Sequence, residues 1–134
     1  MQGDVDELFA DLFGGRRATG PTRALTDVYV TQDPPAVNVT VDIAGLDPHS
    51  LEVVLEGELL TIRGGRRRPA ESGRRVYHHV EIDWGPFERK VRIASPVDPA
   101  AARVSYERGL LHIALPLAPR PIGARVLIGF RIPG

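Results

Sequence analysis

The sequence predicts an all-β protein, an antiparallel sandwich carried between two short arms. Three observations carry that expectation. Apolar and polar residues alternate in a series of short runs, as in Val37, Val39, Val41 and Ile43 against Asn38, Thr40 and Asp42. Turn residues separate the runs at Ala44-Gly45-Leu46-Asp47-Pro48, Gly57-Glu58 and Arg108-Gly109. Between Arg23 and Leu117 helical spacing is almost absent, the best candidate being one turn at Pro99-Ala100-Ala101-Ala102.

The segment 1–22 stands apart as an N-terminal arm. Val5, Leu8, Phe9, Leu12 and Phe13 recur at the spacing of one helical stripe, and Asp4, Asp6, Glu7 and Asp11 fill the opposite face. Gly14-Gly15 ends the pattern, and Gly14 to Thr22 reads as a linker. So short a helix is marginal alone in water, so its stripe must dock on its own domain, on another subunit or on a client.

The sandwich occupies 23–117. Asp27-Val28-Tyr29-Val30 opens it and Val37 to Ile43 follows. Leu51, Val53 and Leu55 alternate, Gly57-Glu58 turns the chain, and Leu59 to Arg63 returns, so the two runs form a hairpin. A polar stretch from Gly64 to Arg74 leads to a short extended piece at Val76-Tyr77. Phe87, Arg89, Val91 and Ile93 share a face of the next strand. Val104-Ser105-Tyr106 and Leu110 to Leu115 make a second hairpin around Arg108-Gly109, ended by Pro116. The remainder, 118–134, begins on a Pro-rich tether. Arg125-Val126-Leu127-Ile128 is then a strand-like apolar unit that must return to its own domain or join a neighbour's sheet edge. The flexible tether favours the neighbour.

Composition narrows the function. The 134 residues carry 17 basic and 17 acidic side chains, so the net charge is zero and binding of nucleic acid by charge alone is disfavoured. With no cysteine, disulfides and thiolate sites are excluded. No apolar run is long enough for a membrane helix, and the acidic N-terminus does not resemble a signal peptide, so a cytoplasmic protein is expected. There is no phosphate loop, no dinucleotide motif and no G-x-S-x-G, and Lys90 is the sole lysine. His49, His78, His79 and His112 lack metal-ligand spacing, and the acidic residues are scattered. The expectation is therefore no enzyme, no cofactor and no metal. The cluster Arg63, Arg66, Arg67, Arg68, Arg74 and Arg75 is the densest charge feature. No aromatic residue interleaves with it before Tyr77, so a solvated loop with intersubunit ion pairs is a better reading than a nucleic-acid site.

These segments, in order, resemble the small heat shock proteins and their alpha-crystallin domain. Asp27-Val28-Tyr29 is similar to the family's opening strand, and Val41-Asp42-Ile43-Ala44-Gly45-Leu46 resembles its V-D-L-P-G-V turn. Gly57 to Gly64 resembles the G-x-L-x-I-x-G hairpin with one extra residue. Tyr77, Glu81, Gly85, Phe87 and Arg89 match a Y-x-x-x-E-x-x-x-G-x-F-x-R segment. Val104 to Leu111, followed by Ile113, Leu115 and Pro116, is similar to the A-x-x-x-n-G-V-L signature, with Val104 in place of Ala and Arg108 in place of Asn. Val126-Leu127-Ile128 resembles the I-x-I/V tail motif, with Ile128-Gly129-Phe130 and Phe130-Arg131-Ile132 as other registers. Ala44 and Ala94 stand where proline is frequent.

The resemblance implies an immunoglobulin-like β-sandwich and an ATP-independent holdase that binds partly unfolded proteins. It implies a homo-oligomer built from dimers, in which Val76 and Tyr77 pair with a partner's Asp27, Val28 and Tyr29. Val126 and Ile128 would dock in a groove lined by Leu51, Val53, Leu55, Val104 and Tyr106. The stripe Leu8, Phe9, Leu12 and Phe13 would meet clients. A monomeric sandwich adaptor and an arginine-loop nucleic-acid binder are the alternatives.

Overall fold

A computed structural model describes residues 24–70, 73–119 and 125–129. Eight strands form two antiparallel sheets: β1 (Leu25–Gln32), β2 (Pro35–Asp42), β3 (Glu52–Glu56), β4 (Leu59–Arg66), β5 (Gly85–Arg92), β6 (Arg103–Glu107), β7 (Leu110–Pro116) and β8 (Arg125–Ile128). One sheet has the order β1-β2-β7-β6 and the other β5-β4-β3-β8. The all-β sandwich expected from the period-two patterning is thus the observed architecture. The Pro99–Ala101 turn is a single 3-10 turn, as is Pro48–Ser50, each with an Asp side chain (Asp98, Asp47) accepting from a backbone N–H of its first residues.

The alternation decides the core. Val37, Val39 and Val41 of β2 meet Leu111, Ile113 and Leu115 of β7 on one inner face, and Val53, Leu55, Leu60, Ile62, Phe87 and Val91 supply the other. Val39, Val41, Leu60, Ile62, Leu111, Ile113 and Leu115 are wholly buried. Burying each such side chain contributes about 1.5–3 kcal/mol, so the paired faces fix the strand register.

Turn chemistry places the hairpins. Arg108 and Gly109 both have positive φ, 55° and 79°, which suits the right-handed twist of the tight β6–β7 turn. Tyr106 pins the Ile43–Leu46 turn from sixty residues away in sequence. Its hydroxyl donates to the Ile43 carbonyl at 2.8 Å and accepts from the Leu46 N–H at 3.2 Å. Asn38 is the one buried polar residue among those described. It stands on the outer face, where its amide donates to Thr31 Oγ1 at 3.1 Å and its carbonyl lies 3.1 Å from His112 Nε2. That network ties β1, β2 and β7 together.

Two expectations are refined by the described chain. Val76-Tyr77 joins no strand within the chain, because residues 73–84 run outside both sheets. The Arg125–Ile128 unit, expected to favour a neighbour, pairs here with β3 of its own sheet. Its four residues have a free edge on β3 within reach of the tether, and strand addition satisfies their backbone groups. The expected helix of the N-terminal arm lies outside the described residues.

Candidate functional site

Two edges of the sandwich are functional candidates. The first is the strip along the side of β3 that faces away from β4. β8 enters it antiparallel to β3, with Ile128 opposite Val53, Leu127 opposite Val54 and Val126 opposite Leu55. Val53, Leu55 and Ile128 are buried, Val126 is half-buried, and Leu127 points away with 63% exposure. The spacing of Val126 and Ile128 is what puts both on the groove side. Leu51, Val104 and Tyr106 are half-buried and pack against the same core cluster. Of the five residues expected to line the groove, Val53 and Leu55 face β8, which also touches the Pro99–Ala101 turn that sequence patterning had not connected with it.

The second candidate is the β1 edge. Val28 pairs with Val39 and Val30 with Val37, so both valines lie on the core side of their sheet. They are nevertheless 47% and 58% exposed, because among the described strands β2 alone packs substantially against β1. Asp27 and Tyr29 occupy the other face of the same strand. Among the described residues the sandwich is open here, with an unpaired backbone edge and an uncovered apolar face. Residues 76–82 form a second uncovered apolar surface. Val76, Val80 and Ile82 are 81%, 53% and 56% exposed, and Tyr77 is half covered.

The arginine cluster is largely exposed, and several of its members are engaged within their own chain. Arg63 bridges Glu88 at 2.9 Å and Glu52 at 3.7 Å, and Arg67 lies 3.6 Å from Asp47. Arg66 donates to the Ala44 carbonyl at 2.7 Å and the Asp83 carbonyl at 3.0 Å, with its guanidinium 5.5 Å from the Trp84 ring centre. Arg68 sits between rings, 4.5 Å from Tyr77 and 5.7 Å from Trp84. Arg75 donates to the Tyr77 hydroxyl at 2.7 Å and the Pro69 carbonyl at 3.1 Å. Desolvation pushes the Tyr77 phenol up, but the hydrogen bonds and charges of Arg75 and Arg68 outweigh it and hold the phenol below its ordinary range. Sequence reading missed this arrangement. The rings lie well after most of the arginines in sequence, and only the return of the chain at Trp84 over Gly45 brings them together. Gly45 has φ 78°, and a Cβ there would stand 3.0 Å from Trp84 Cζ3.

Leu8, Phe9, Leu12 and Phe13, the expected client-binding stripe, lie outside the described residues. Among the described residues, no group of His, Asp and Glu could hold a metal ion, and no helix is long and apolar enough to cross a membrane.

A sandwich with one strand-accepting groove and one open edge is the architecture of a recognisable class. The Hsp20/alpha crystallin family model matches residues 29–126. The 18 kDa heat shock protein of Streptomyces albus G is 33% identical over 92 residues, which is 68% of this chain and 64% of that protein. Small heat shock protein C2 of Rickettsia felis is 23% identical over 118 residues, 84% of this chain and 76% of that one. Among solved structures, heat shock protein 16.0 from Schizosaccharomyces pombe superposes with TM-score 0.61 at 24% identity, covering 72% of this chain and 88% of that one. A small heat-shock protein from Xylella fastidiosa, described as having a distinct high order structure, gives TM-score 0.55 at 25% identity over 75% of this chain and 96% of its own. The chain belongs to the Hsp20/alpha crystallin family of small heat shock proteins. These are ATP-independent chaperones rather than enzymes, and membership supports a chaperone role here.

Proposed function

We propose that this chain is a holdase that binds partly unfolded proteins and keeps them from aggregating, working as an oligomer built from dimers in the cytoplasm. The observation that carries the reading is the open β1 edge: core-side valines Val28 and Val30 half exposed, and Val76, Tyr77, Val80 and Ile82 exposed on the same chain. Each surface fits the other in a second copy. The partner's segment around Val76 and Tyr77 would extend the sheet beside Asp27, Val28 and Tyr29 and cover the valines.

Assembly beyond the dimer would use the groove. β8 pairs with β3 through only four residues, on a tether that starts at Ala118. The same contact can be made by a neighbour's Val126 and Ile128 in the same groove, and a contact so short exchanges readily. The N-terminal stripe Leu8, Phe9, Leu12 and Phe13 would supply client contact. At about 25 cal/mol per Å² each arm contributes a few kcal/mol, and repetition over subunits supplies avidity. Segments 1–22, 23–117 and 118–134 thus act as client arm, sandwich and assembly tail.

The test is light scattering of a heat- or reductant-denatured client at equimolar subunit ratio without ATP. Suppressed scattering is expected, and an unchanged aggregation curve would sink the proposal. The seating of β8 on its own β3 favours one other reading, a monomeric sandwich adaptor. Native mass spectrometry separates the two, since the adaptor predicts a single-chain mass at every concentration.

A further inference from the structure

We propose that the arginine–aromatic ladder Arg66–Trp84–Arg68–Tyr77–Arg75 pre-organises the 76–82 segment for capture by a partner's β1 edge, with Arg68 and Tyr77 as positioning residues. This rests on the dimer reading above. Four guanidinium–ring contacts of 4.5 to 5.8 Å, all within cation–π range, run from Trp84 to Tyr77. The ladder is anchored to the sandwich at one end, where Arg66 holds the Ala44 and Asp83 carbonyls and Trp84 stacks over Gly45. At its other end Arg75 joins the Pro69 carbonyl to the Tyr77 hydroxyl. The two limbs of the excursion are therefore fastened by side chains, while residues 76–82 join no strand in their own chain.

The ladder also leaves apolar side chains on offer. Tyr77 turns toward Arg68 and Arg75, and His79 and Glu81 contact each other while staying exposed. Val76, Val80 and Ile82, at alternate positions, are left exposed. These exposed apolar side chains match an edge whose core-side valines lack cover. Fastening the segment before encounter removes part of the ordering cost of association, so the effect belongs in the association rate. Arginine suits this role because its planar group stacks on two rings at once, which an ammonium cannot do.

The experiment uses the full chain in donor- and acceptor-labelled populations, with dimer association and dissociation rates followed by energy transfer. Arg68→Gln and Tyr77→Leu should each slow association by about two- to tenfold with dissociation little changed. Combined, they should cost no more than the larger single effect, because they break one ladder. Arg68→Lys should resemble Arg68→Gln. Trp84 is the sole tryptophan, so acrylamide quenching of its fluorescence reports the ladder in the isolated subunit and should rise in Arg68→Gln. Unchanged association in these variants overturns the inference, as does faster dissociation alone, which would place Arg68 in the interface itself. Val28→Lys separates this from failure of the dimer reading. If Val28→Lys leaves the native mass unaltered, the edge-exchange reading falls and the inference with it. If Val28→Lys breaks the dimer but the ladder variants associate normally, only the inference falls.

Discussion

Ile128 stands opposite Val53 in the β3–β8 ladder, and the two side chains are 5% and 1% exposed. Between Ile128 and Val126, Leu127 turns outward. A four-residue strand therefore commits its alternate side chains to the groove, and its hold depends on those two.

Removing both should release the tail. A buried Ile→Ala change costs about 2–5 kcal/mol, more than so short a strand can lose and stay docked. Val126→Ala with Ile128→Ala is expected to reduce the native mass of the oligomer to that of a dimer and to speed amide exchange at Val54. An unaltered mass would remove the tail from assembly.

At the other edge, Val28→Lys places a charge on the uncovered core side of β1. Lysine on an edge strand blocks further pairing, and the valine is already half exposed. The expected outcome is loss of the dimer in sedimentation velocity, with a melting temperature within a few degrees of the parent's.

Tyr106→Phe tests the pin beneath the groove. It deletes a donor to the Ile43 carbonyl and an acceptor for the Leu46 N–H. At about 0.5–1.5 kcal/mol for each hydrogen bond, the urea midpoint should fall by the equivalent of about 1–3 kcal/mol, with the slope unchanged.

Gly45→Ala tests the seat of Trp84. A left-handed conformation costs a non-glycine residue about 1–2 kcal/mol, and the new Cβ would press on the indole ring. Stability should fall by at least that amount, and the Trp84 emission maximum should move to the red as the ring leaves its seat. A parent-like spectrum would show that the turn yields instead.

The Tyr77 phenol gives a pH signature. Arg75 and Arg68 hold it below its ordinary range against the upward pull of desolvation, so the folded value is depressed relative to the unfolded one. Any stabilisation from its ionised form is present above the unfolded phenol value and is lost as pH falls through the folded one. At neutral pH it contributes nothing. An ultraviolet phenolate titration should show one tyrosine ionising early in the parent, and that early step should move up in Arg68→Gln.

The fold was legible because alternation at Val37–Ile43, Leu51–Leu55 and Leu110–Leu115 is a direct image of a half-buried strand. Turn residues marked where each strand ends, and the order of motifs carried the family. The common face of Val126 and Ile128 was legible for the same reason, since side chains two apart point the same way, whereas the groove lining was implied only by the family resemblance. The destination of the Arg125–Ile128 unit was not legible, because a free strand edge on its own chain and one on a neighbour offer identical backbone partners. The openness of the β1 edge was equally hidden. Val28 and Val30 read only as part of a short opening strand, and among the described residues no facing strand covers them.

Sequence alone therefore determined what each strand buries, where the chain turns, and that an apolar tail must seek an edge. These depend on neighbours along the chain and on period-two geometry. Tertiary structure alone decided how the arginines are used. Arg66, Arg68 and Arg75 read as a solvated cluster until the chain returns at Asp83-Trp84 and brings an indole over Gly45. Stacking depends on distances between residues up to eighteen positions apart (Arg66 to Trp84), and no local pattern encodes them.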